Sequence, residues 1–215
     1  MATIEAIQND VSALRGSLSA LEKIWDGRQS ILQMRAANNT QWRQMEWIGF
    51  YGEFITRKCL ANSQVIKPNG DKFGNVVFDL KGSINWDIKT HPNSSPGAIL
   101  NDCEATLWSI EKYEYHGLLI LCVDCEFDES GEFKRWHDEL KGGTSAYEAD
   151  RVSRGAKSRR RKTQAKLTDI RLILLNAENI GQLSKAQEGW RNSNGAPRRS
   201  KYSISHKQIT GLALT

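Results

Sequence analysis

The sequence of 215 residues is poor in cysteine, with only Cys59, Cys103, Cys122 and Cys125. These are too few and too scattered for the disulfide framework of a small secreted protein. Cys122 and Cys125 form a C-x-x-C pair, but they stand in an apolar segment typical of a buried strand, where residues three apart face opposite sides. No second Cys or His pair follows at zinc-site spacing. We therefore interpret all four as packing residues.

Long apolar stretches are lacking as well. No run reaches the ~18–20 residues that a membrane span needs. The first ten residues, MATIEAIQND, lack the basic start and short apolar block of a secretory signal. We expect a cytoplasmic protein with no membrane partner. A phosphate loop of the form G-x-x-x-x-G-K-[ST] is also absent, so no motif indicates a helicase or an ATPase.

Positive charge is present in excess and is unevenly distributed. The net charge is +5, every charged residue from Arg151 to Lys166 is Lys or Arg, and acidic residues dominate 102–132. Further basic residues lie in the tail: Arg191, Arg198, Arg199, Lys201 and Lys207. A molecule polarised in this way can present its basic part to phosphates, which indicates an anionic partner such as nucleic acid.

The N-terminal segment has apolar residues at alternating steps of three and four over positions 3–26. This spacing predicts an amphipathic helix with a seam of about three heptads. Its members are Ile4, Ile7, Val11, Leu14, Leu18, Leu21 and Trp25. The seam either packs on the body of the same chain or joins two chains in a dimer, and the pattern allows both.

The remaining periodicities predict an α/β fold with a mixed central sheet flanked by helices. We expect helices over 40–60, 95–115, 133–140 and 180–190. The second of these begins at Ser95-Pro96. We expect strands over 64–67, 75–81, 84–91, 118–125 and 170–175, and one more possible strand near the C-terminus. Residues 144–166 are polar, basic and aperiodic, which predicts a loop or a segment that orders on binding.

The most informative segment is VVFDLKGSINWDIKTH, residues 76–91. In its second half, Asn85, Asp87, Lys89 and His91 share one face of the predicted strand, because side chains alternate along a strand. Apolar residues occupy the opposite face. Each strand of the predicted hairpin thus has a polar face and an apolar one.

Whether the two acids of this segment meet depends on the turn between the strands. A two-residue Gly82-Ser83 turn would pair Asp79 with Trp86, whereas a three- or five-residue loop, or one bulge, pairs Asp79 with Asp87. Adjacent carboxylates repel one another unless a cation lies between them, and hard oxygens suit Mg²⁺. Lys89 could then contact a phosphate oxygen and the attacking water. These groups are the ones that phosphodiester hydrolysis requires.

The hairpin resembles the active-site hairpin of the PD-(D/E)XK nuclease superfamily, with Asp79, seven residues, and then Asp87-Ile88-Lys89. That superfamily includes most type II restriction endonucleases, resolvases and repair nucleases. Its core, helix–strand–strand–strand–helix–strand, is similar to the order predicted for 40–126. Phe78 stands where a proline is usual, and the seven-residue gap is short for the family, so the hairpin must be tight.

The resemblance implies further site residues. The helix before the sheet often supplies another acid, which is Glu53 here, with Glu46 as the alternative. Asp79, Asp87 and Glu53 would hold Mg²⁺, and Lys89 would complete the catalytic set. Basic side chains are candidates for DNA binding, against the alternative of solvated surface residues: Arg159, Arg160, Arg161, Lys162, Arg198, Arg199, Lys201, Lys81 and His91.

The resemblance covers about residues 40–126. We expect one nuclease domain over 1–215, with an N-terminal helical segment at 1–38 that is a candidate for dimerisation. The catalytic core would occupy 40–126, and DNA-contacting loops and additional strands 144–215. The expected activity is that of a homodimeric type II restriction endonuclease. It would hydrolyse duplex DNA at a short specific site with Mg²⁺, leaving 5′-phosphate and 3′-hydroxyl ends. A junction resolvase or repair nuclease on the same core is an alternative, and so is a non-catalytic DNA-binding protein.

Overall fold

The computed structural model describes residues 2–155, 160–191 and 195–214. The chain is mixed α/β and forms two compact units. Unit 1 comprises Met1–Leu21, Gly52–Val123 and Thr168–Thr215, and unit 2 comprises Glu22–Tyr51 and Asp124–Leu167. No helix in the described ranges has the length and apolar character needed to cross a membrane.

The helices and strands follow one another along the chain in an irregular alternation. In order they are α1 (Ile4–Leu18), β1 (Ile24–Asp26), α2 (Gly27–Ala36), α3 (Trp47–Cys59), β2 (Lys67–Pro68), β3 (Lys72–Phe73), β4 (Val76–Val77), β5 (Leu80–Lys81), β6 (Asn85–Pro92), β7 (Gly97–Asp102), α4 (Cys103–Tyr113), β8 (His116–Phe127), α5 (Glu132–Leu140), α6 (Ala146–Ser153), β9 (Lys162–Leu175), β10 (Ser184–Ala186), β11 (Lys201–Ser205) and α7 (His206–Gly211). Short 3₁₀ turns occupy Thr40–Arg43 and Ile180–Gln182. The ranges of α3, β8 and β9 include residues of both units.

The main sheet of unit 1 is mixed and has β6 near its middle. Strand β6 pairs antiparallel with β5 and parallel with β8, β5 pairs antiparallel with β2, and β9 follows β8 in the strand order. The parallel pair is connected through β7 and α4, as a parallel crossover requires. A separate antiparallel sheet has the order β10-β11-β7, and β3 and β4 form a small hairpin.

Strand β8 supplies the core of unit 1. Leu118, Ile120 and Cys122 lie in an apolar cluster with residues of β7, α4, β9, β11 and α7, and the alternate residues Leu119 and Leu121 are fully buried as well. Each such aliphatic side chain stabilises the fold by about 1.5–3 kcal/mol relative to exposure. The strand predicted over 118–125 is confirmed, and its burial on both faces holds for 118–123, whereas Asp124 is exposed and Cys125 half-buried.

Gly52 lets α3 approach the sheet closely. A Cβ at this position would lie 2.3 Å from Oγ1 of Thr90 on β6 and 3.1 Å from Cδ1 of Leu121 on β8. Both distances are shorter than a normal contact, so Gly52→Ala would force the helix away from the sheet. The close approach matters because the next residue on this helix is Glu53.

Unit 2 has its own aromatic core. Trp25 on β1 and Trp47 at the start of α3 are buried, and both rings meet Tyr51 edge-on, at centroid distances of 5.7 and 6.1 Å. Strand β1 pairs antiparallel with β9. On α5, Nε2 of His137 lies 2.9 Å from the carbonyl oxygen of Trp42. Aromatic packing of this kind contributes beyond the area that it buries.

The single helix predicted over 3–26 is wrong beyond Leu18. Helix α1 ends there, Trp25 lies in β1, and the carboxylate of Asp26 accepts a hydrogen bond from the N–H of Gln29 (2.9 Å), which begins α2. The alternating apolar residues continue from α1 through a turn into β1, so periodicity alone did not reveal the break. Within α1, Leu14 and Leu18 are buried, in agreement with packing on the same chain.

The helix predicted from Ser95 is also wrong in its first part. Residues Gly97–Asp102 form β7, which pairs with β11 about one hundred residues later in the chain. Helix α4 begins after Asp102, whose carboxylate accepts hydrogen bonds from the N–H groups of Glu104 and Ala105. Long-range strand pairing outweighed the local Ser-Pro helix signal.

Four further predictions need correction. Residues 144–166 are not a loop throughout, because Ser145 caps α6 and β9 begins at Lys162. The helix predicted over 180–190 is a 3₁₀ turn followed by β10. The strand predicted over 75–81 is divided into β4 and β5, and the helix predicted over 40–60 is a 3₁₀ turn followed by α3. In the last three segments turns interrupt a pattern that looked continuous in the sequence.

Candidate active site

The turn between β5 and β6 has three residues, Gly82 to Ile84. Leu80 pairs with Trp86 and Lys81 with Asn85, so the register extended by one residue sets Asp79 opposite Asp87. This is the three-residue alternative left open by the sequence. Asp79 lies just before β5, and its Oδ2 accepts a hydrogen bond of 2.7 Å from the N–H of Ile88. The side chain of Asp79 therefore bonds to the backbone of β6 at the position just before β5 begins.

An arginine on α3 joins two of the predicted acids. Arg57 contacts Oε1 of Glu53 through Nε at 2.8 Å and Oδ1 of Asp79 through Nη2 at 3.4 Å. Its Nη1 donates to the side-chain oxygen of Asn69 at 2.9 Å. Glu53 and Arg57 are four residues apart, the spacing at which helical side chains meet. Glu53 is thus the acid on α3 that lies beside Asp79.

Asp87 is fully buried and held by two side chains from elsewhere in unit 1. Nδ2 of Asn101 on β7 donates to Oδ1 and Oδ2 at 3.2 and 3.0 Å, and Nε2 of His116 on β8 lies 3.1 Å from Oδ2. Behind the imidazole, Nδ1 of His116 lies 3.2 Å from Oγ of Ser109, which also accepts from Asn85. This network fixes the orientation of the Asp87 carboxylate.

The electrostatics of the two aspartates differ sharply. Burial, followed by the neighbouring charge of Asp87, raises the pKa of Asp79 to about 6, although Lys89 acts against the rise. Burial acts to raise the pKa of Asp87 too, but Lys89 and the hydrogen bond from His116 outweigh it and hold the pKa below its ordinary value. Lys89 is therefore close enough to influence both carboxylates. Two acids with divergent pKa values are typical of a functional site.

Asp10 on α1 holds the turn of the hairpin. Its carboxylate accepts hydrogen bonds from the N–H and Oγ of Ser83, at 2.9 and 2.8 Å for Oδ2, and from Nε1 of Trp86 at 3.1 Å. A Cβ on Gly82 would lie 2.4 Å from this carboxylate, so glycine is needed there. The contacts favour the three-residue turn and with it the register that sets Asp79 opposite Asp87.

A divalent ion has donors available at this corner. Over the described ranges, no three His, Cys, Asp or Glu side chains converge in a metal-binding arrangement. Mg²⁺, however, is commonly held by one or two carboxylates together with water and substrate phosphates. A carboxylate oxygen accepts about two hydrogen bonds. On that count Oδ1 of Asp87 and both oxygens of Asp79 each retain an acceptor site, because each accepts one hydrogen bond.

The other predicted residues of unit 1 lie in separate surroundings. Lys81 pairs with Asp71 at 3.5 Å and lies over the ring of Tyr113. His91 is fully buried, with Nε2 3.1 Å from Nδ1 of His206, so it has no surface with which to contact DNA directly. The basic residues of the tail border a cavity of about 400 Å³, and they are Arg198, Arg199 and Lys201.

In unit 2 the predicted basic cluster is divided among different contacts. Arg160 pairs with Glu129, and Lys162 pairs with Glu46 at 2.5 Å. Arg161 is buried. Arg159 lies outside the described residues. Glu46, the alternative acid, precedes α3 and is engaged by Lys162.

Sequence reasoning missed the residues that surround the two aspartates. Arg57 was recognisable from its spacing to Glu53, but Asn101 was assigned to a helix, and His116 was assigned to no element, because it lies between the helix predicted over 95–115 and the strand predicted over 118–125. Asp10 lies 73 residues from its partner Ser83, and no local pattern links them. No protein-family model, curated protein or solved structure matches this chain, so its function has to be inferred from its own residues.

Proposed function

We propose that the protein is a Mg²⁺-dependent nuclease that hydrolyses phosphodiester bonds of double-stranded DNA, with Asp79, Asp87 and Lys89 in its active site. The observation that carries the proposal is the register of the β5–β6 hairpin, which sets Asp79 opposite Asp87. Lys89 lies two residues further along β6 and influences both carboxylates. A carboxylate pair beside an ammonium group is the donor set that phosphodiester hydrolysis uses.

The order of elements around the hairpin supports this proposal. Helix α3, strands β5, β6 and β7, helix α4 and strand β8 occur in the order helix–strand–strand–strand–helix–strand, with the short strands β2, β3 and β4 between α3 and β5 and with β7 in a separate sheet. The same order describes the core of the PD-(D/E)XK nucleases that the sequence resembles. Glu53 on α3 shares its partner Arg57 with Asp79. In that superfamily the helix before the sheet often supplies an additional acid, and Glu53 is the candidate for it.

Each residue of the site has a distinct role in the proposed reaction. Asp79 and Asp87 would hold Mg²⁺, which supplies a water activated for attack and offsets charge on the phosphate. Asn101 and His116 keep Asp87 oriented, because they occupy Oδ2 and leave an acceptor site on Oδ1. The Lys89 ammonium contacts a non-bridging phosphate oxygen and stabilises the negative charge that develops there. The products are a 5′-phosphate and a 3′-hydroxyl.

We further propose duplex DNA as the substrate and a homodimer as the working form. The basic side chains of Arg198, Arg199 and Lys201 border a cavity and are suited to phosphate contacts. Two strands require two active sites, which a symmetric dimer supplies. A type II restriction endonuclease meets these requirements.

Cleavage of supercoiled plasmid in Mg²⁺ tests the proposal. The wild-type protein should give discrete linear fragments, whereas Asp79→Asn and Asp87→Asn should give none while still binding DNA in Ca²⁺. Glu111→Gln, an exposed acid on α4, is the control and should cut like wild type. Wild-type protein that binds DNA without cutting it in Mg²⁺ would make the chain a binding protein instead, and near-normal cutting by either aspartate variant would remove that residue from the site.

A further inference from the structure

A second cavity is formed within unit 2, and no residue of the proposed active site lines it. It has a volume of about 530 Å³ and is lined by Arg43, Lys141, Gly143, Thr144, Ser145 and Arg161, among others. Small-molecule sites span about 300–1,000 Å³. Three cations and two hydroxyl groups lie in this lining, together with one carboxylate, Glu148, so the cavity offers several groups to a polar ligand.

Arg161 is the unusual member of the lining. The residue is 4% exposed, and its Nε and Nη1 are buried and have no hydrogen-bond partner among the residues that the structure describes. No carboxylate of the described ranges forms an ion pair with it either. A buried cation without a partner is strongly unfavourable. A buried polar group without a partner calls for an explanation, and an ion bound to it is one that native proteins provide.

The other charged side chains that line the cavity have partners of their own. Lys141 pairs with Asp138 at 2.8 Å, and Glu148 lies 3.7 Å from Arg151. Arg43 is exposed at the rim, where its Nη2 donates to the carbonyl oxygen of Lys141 at 3.0 Å. Glu148 lines the same cavity, and its carboxylate has Arg151 as a cationic neighbour.

The N-terminus of α6 adds to the positive potential. Ser145 caps this eight-residue helix and lines the cavity. A helix N-terminus carries a partial positive charge, and its first N–H groups favour anions. The helix end and the buried guanidinium thus favour the same class of ligand.

We propose that this cavity is a phosphate-binding site in which Arg161 provides the buried positive charge. The fork of N–H donors on a guanidinium matches the oxygens of a phosphate group. Arg43 at the rim and the hydroxyls of Thr144 and Ser145 supply further donors. The site does not depend on the nuclease proposal, because the residues of that proposal belong to unit 1 and are not needed for phosphate to bind here.

Thermal unfolding of the full-length protein, without Mg²⁺ or DNA, provides the first test. Inorganic phosphate, compared with chloride at equal ionic strength, should raise the Tm of the wild type by several degrees. The control Arg135→Met, an exposed arginine of α5 outside the cavity, should respond equally. Arg161→Met should not respond, and its Tm without ligand should equal or exceed that of wild type, because an unpaired buried charge has been removed.

A second variant keeps the test valid if Arg161→Met does not fold, and two further probes identify the source of the phosphate. The rim variant Arg43→Met leaves the buried residues in place and should weaken phosphate binding several-fold by calorimetry. A deoxynucleoside 5′-monophosphate and a short duplex in Ca²⁺ are the other probes. A response to inorganic phosphate or to the mononucleotide that requires Arg161 identifies a free ligand, and a response confined to the duplex identifies a backbone phosphate. The proposal is overturned when none of the three probes distinguishes Arg161→Met and Arg43→Met from Arg135→Met.

Discussion

Asp10 binds Ser83 across 73 residues of chain, accepting hydrogen bonds from its N–H and its hydroxyl at 2.9 and 2.8 Å. Asp10 itself is 1% exposed. A short carboxylate on the first helix thus organises a turn whose length decides whether Asp79 lies opposite Asp87. The candidate site depends on a residue that would contact neither metal nor DNA.

Replacing this carboxylate should unfold the hairpin locally and destabilise the protein. Asp10→Ala leaves the N–H of Ser83 and Nε1 of Trp86 without acceptors, which should reduce the free energy of unfolding by about 2–3 kcal/mol. The exposed neighbour Asn9→Ala should change it by less than about 0.5 kcal/mol. Urea unfolding of both variants measures the difference. Equal stability of the two would show that the turn does not need its contact with α1.

Lys89 should contribute to the rate of cleavage and little to folding. Lys89→Met removes the ammonium that would stabilise the phosphate in the proposed reaction, so the single-turnover rate in Mg²⁺ should fall on the order of 10²-fold or more. Lys67→Met, at an exposed position on β2, is the matched control and should retain wild-type cleavage. Comparable rates for both variants would exclude lysine from the chemistry.

Asn101 should act as a positioning residue for the metal site. Asn101→Ala removes the donors to Asp87, and partners of metal ligands typically change metal affinity by about 10–100-fold. The Mg²⁺ concentration for half-maximal cleavage should rise by that factor, while kcat at saturating Mg²⁺ stays close to wild type. Asn62→Ala, at an exposed site, is the control. A loss of kcat with an unchanged Mg²⁺ midpoint would contradict this role.

His137 should make the stability of the protein dependent on pH below neutrality. Burial, helped by the cations Lys141 and Arg161, lowers the pKa of His137 from its ordinary 6.5 to about 4, although the hydrogen bond to Trp42 acts against the fall. The unfolded chain therefore binds the proton first. The free energy of unfolding should decrease as the pH falls from about 6.5 to about 4, by on the order of 2 kcal/mol, and this contribution should level off below that range.

The variant His137→Gln isolates the effect. A glutamine amide can still donate to the carbonyl oxygen of Trp42, but it has no proton to gain in this range. Denaturant midpoints measured between pH 4 and pH 7 should differ less for this variant than for wild type. Parallel pH profiles for the two proteins would show that His137 is readily protonated in the folded state.

The sequence was informative where local chemistry decides the structure. The apolar run over 118–125 predicted a doubly buried strand, and the spacing from Asp79 to Asp87 allowed the observed register. It was misleading where distant segments meet. Residues of β7 were predicted to be helical because the pairing with β11 has no local signal. For the same reason Asn101, which lies in β7, was not among the predicted site residues. The polar face of β6 was predicted correctly as a pattern, but Asp87 and His91 are buried by groups contributed from other elements.

Arg57 gives the candidate site a tethered counter-ion. Because its guanidinium already bridges Glu53 and Asp79, a divalent cation that binds Asp79 would exchange with an existing positive charge rather than enter an uncompensated acidic corner. The exchange would release a planar, forked donor group whose preferred partners are carboxylates and phosphates. Metal binding would then free the guanidinium of Arg57 to bind a phosphate beside the ion. Binding of the ion and binding of a DNA strand would therefore reinforce each other.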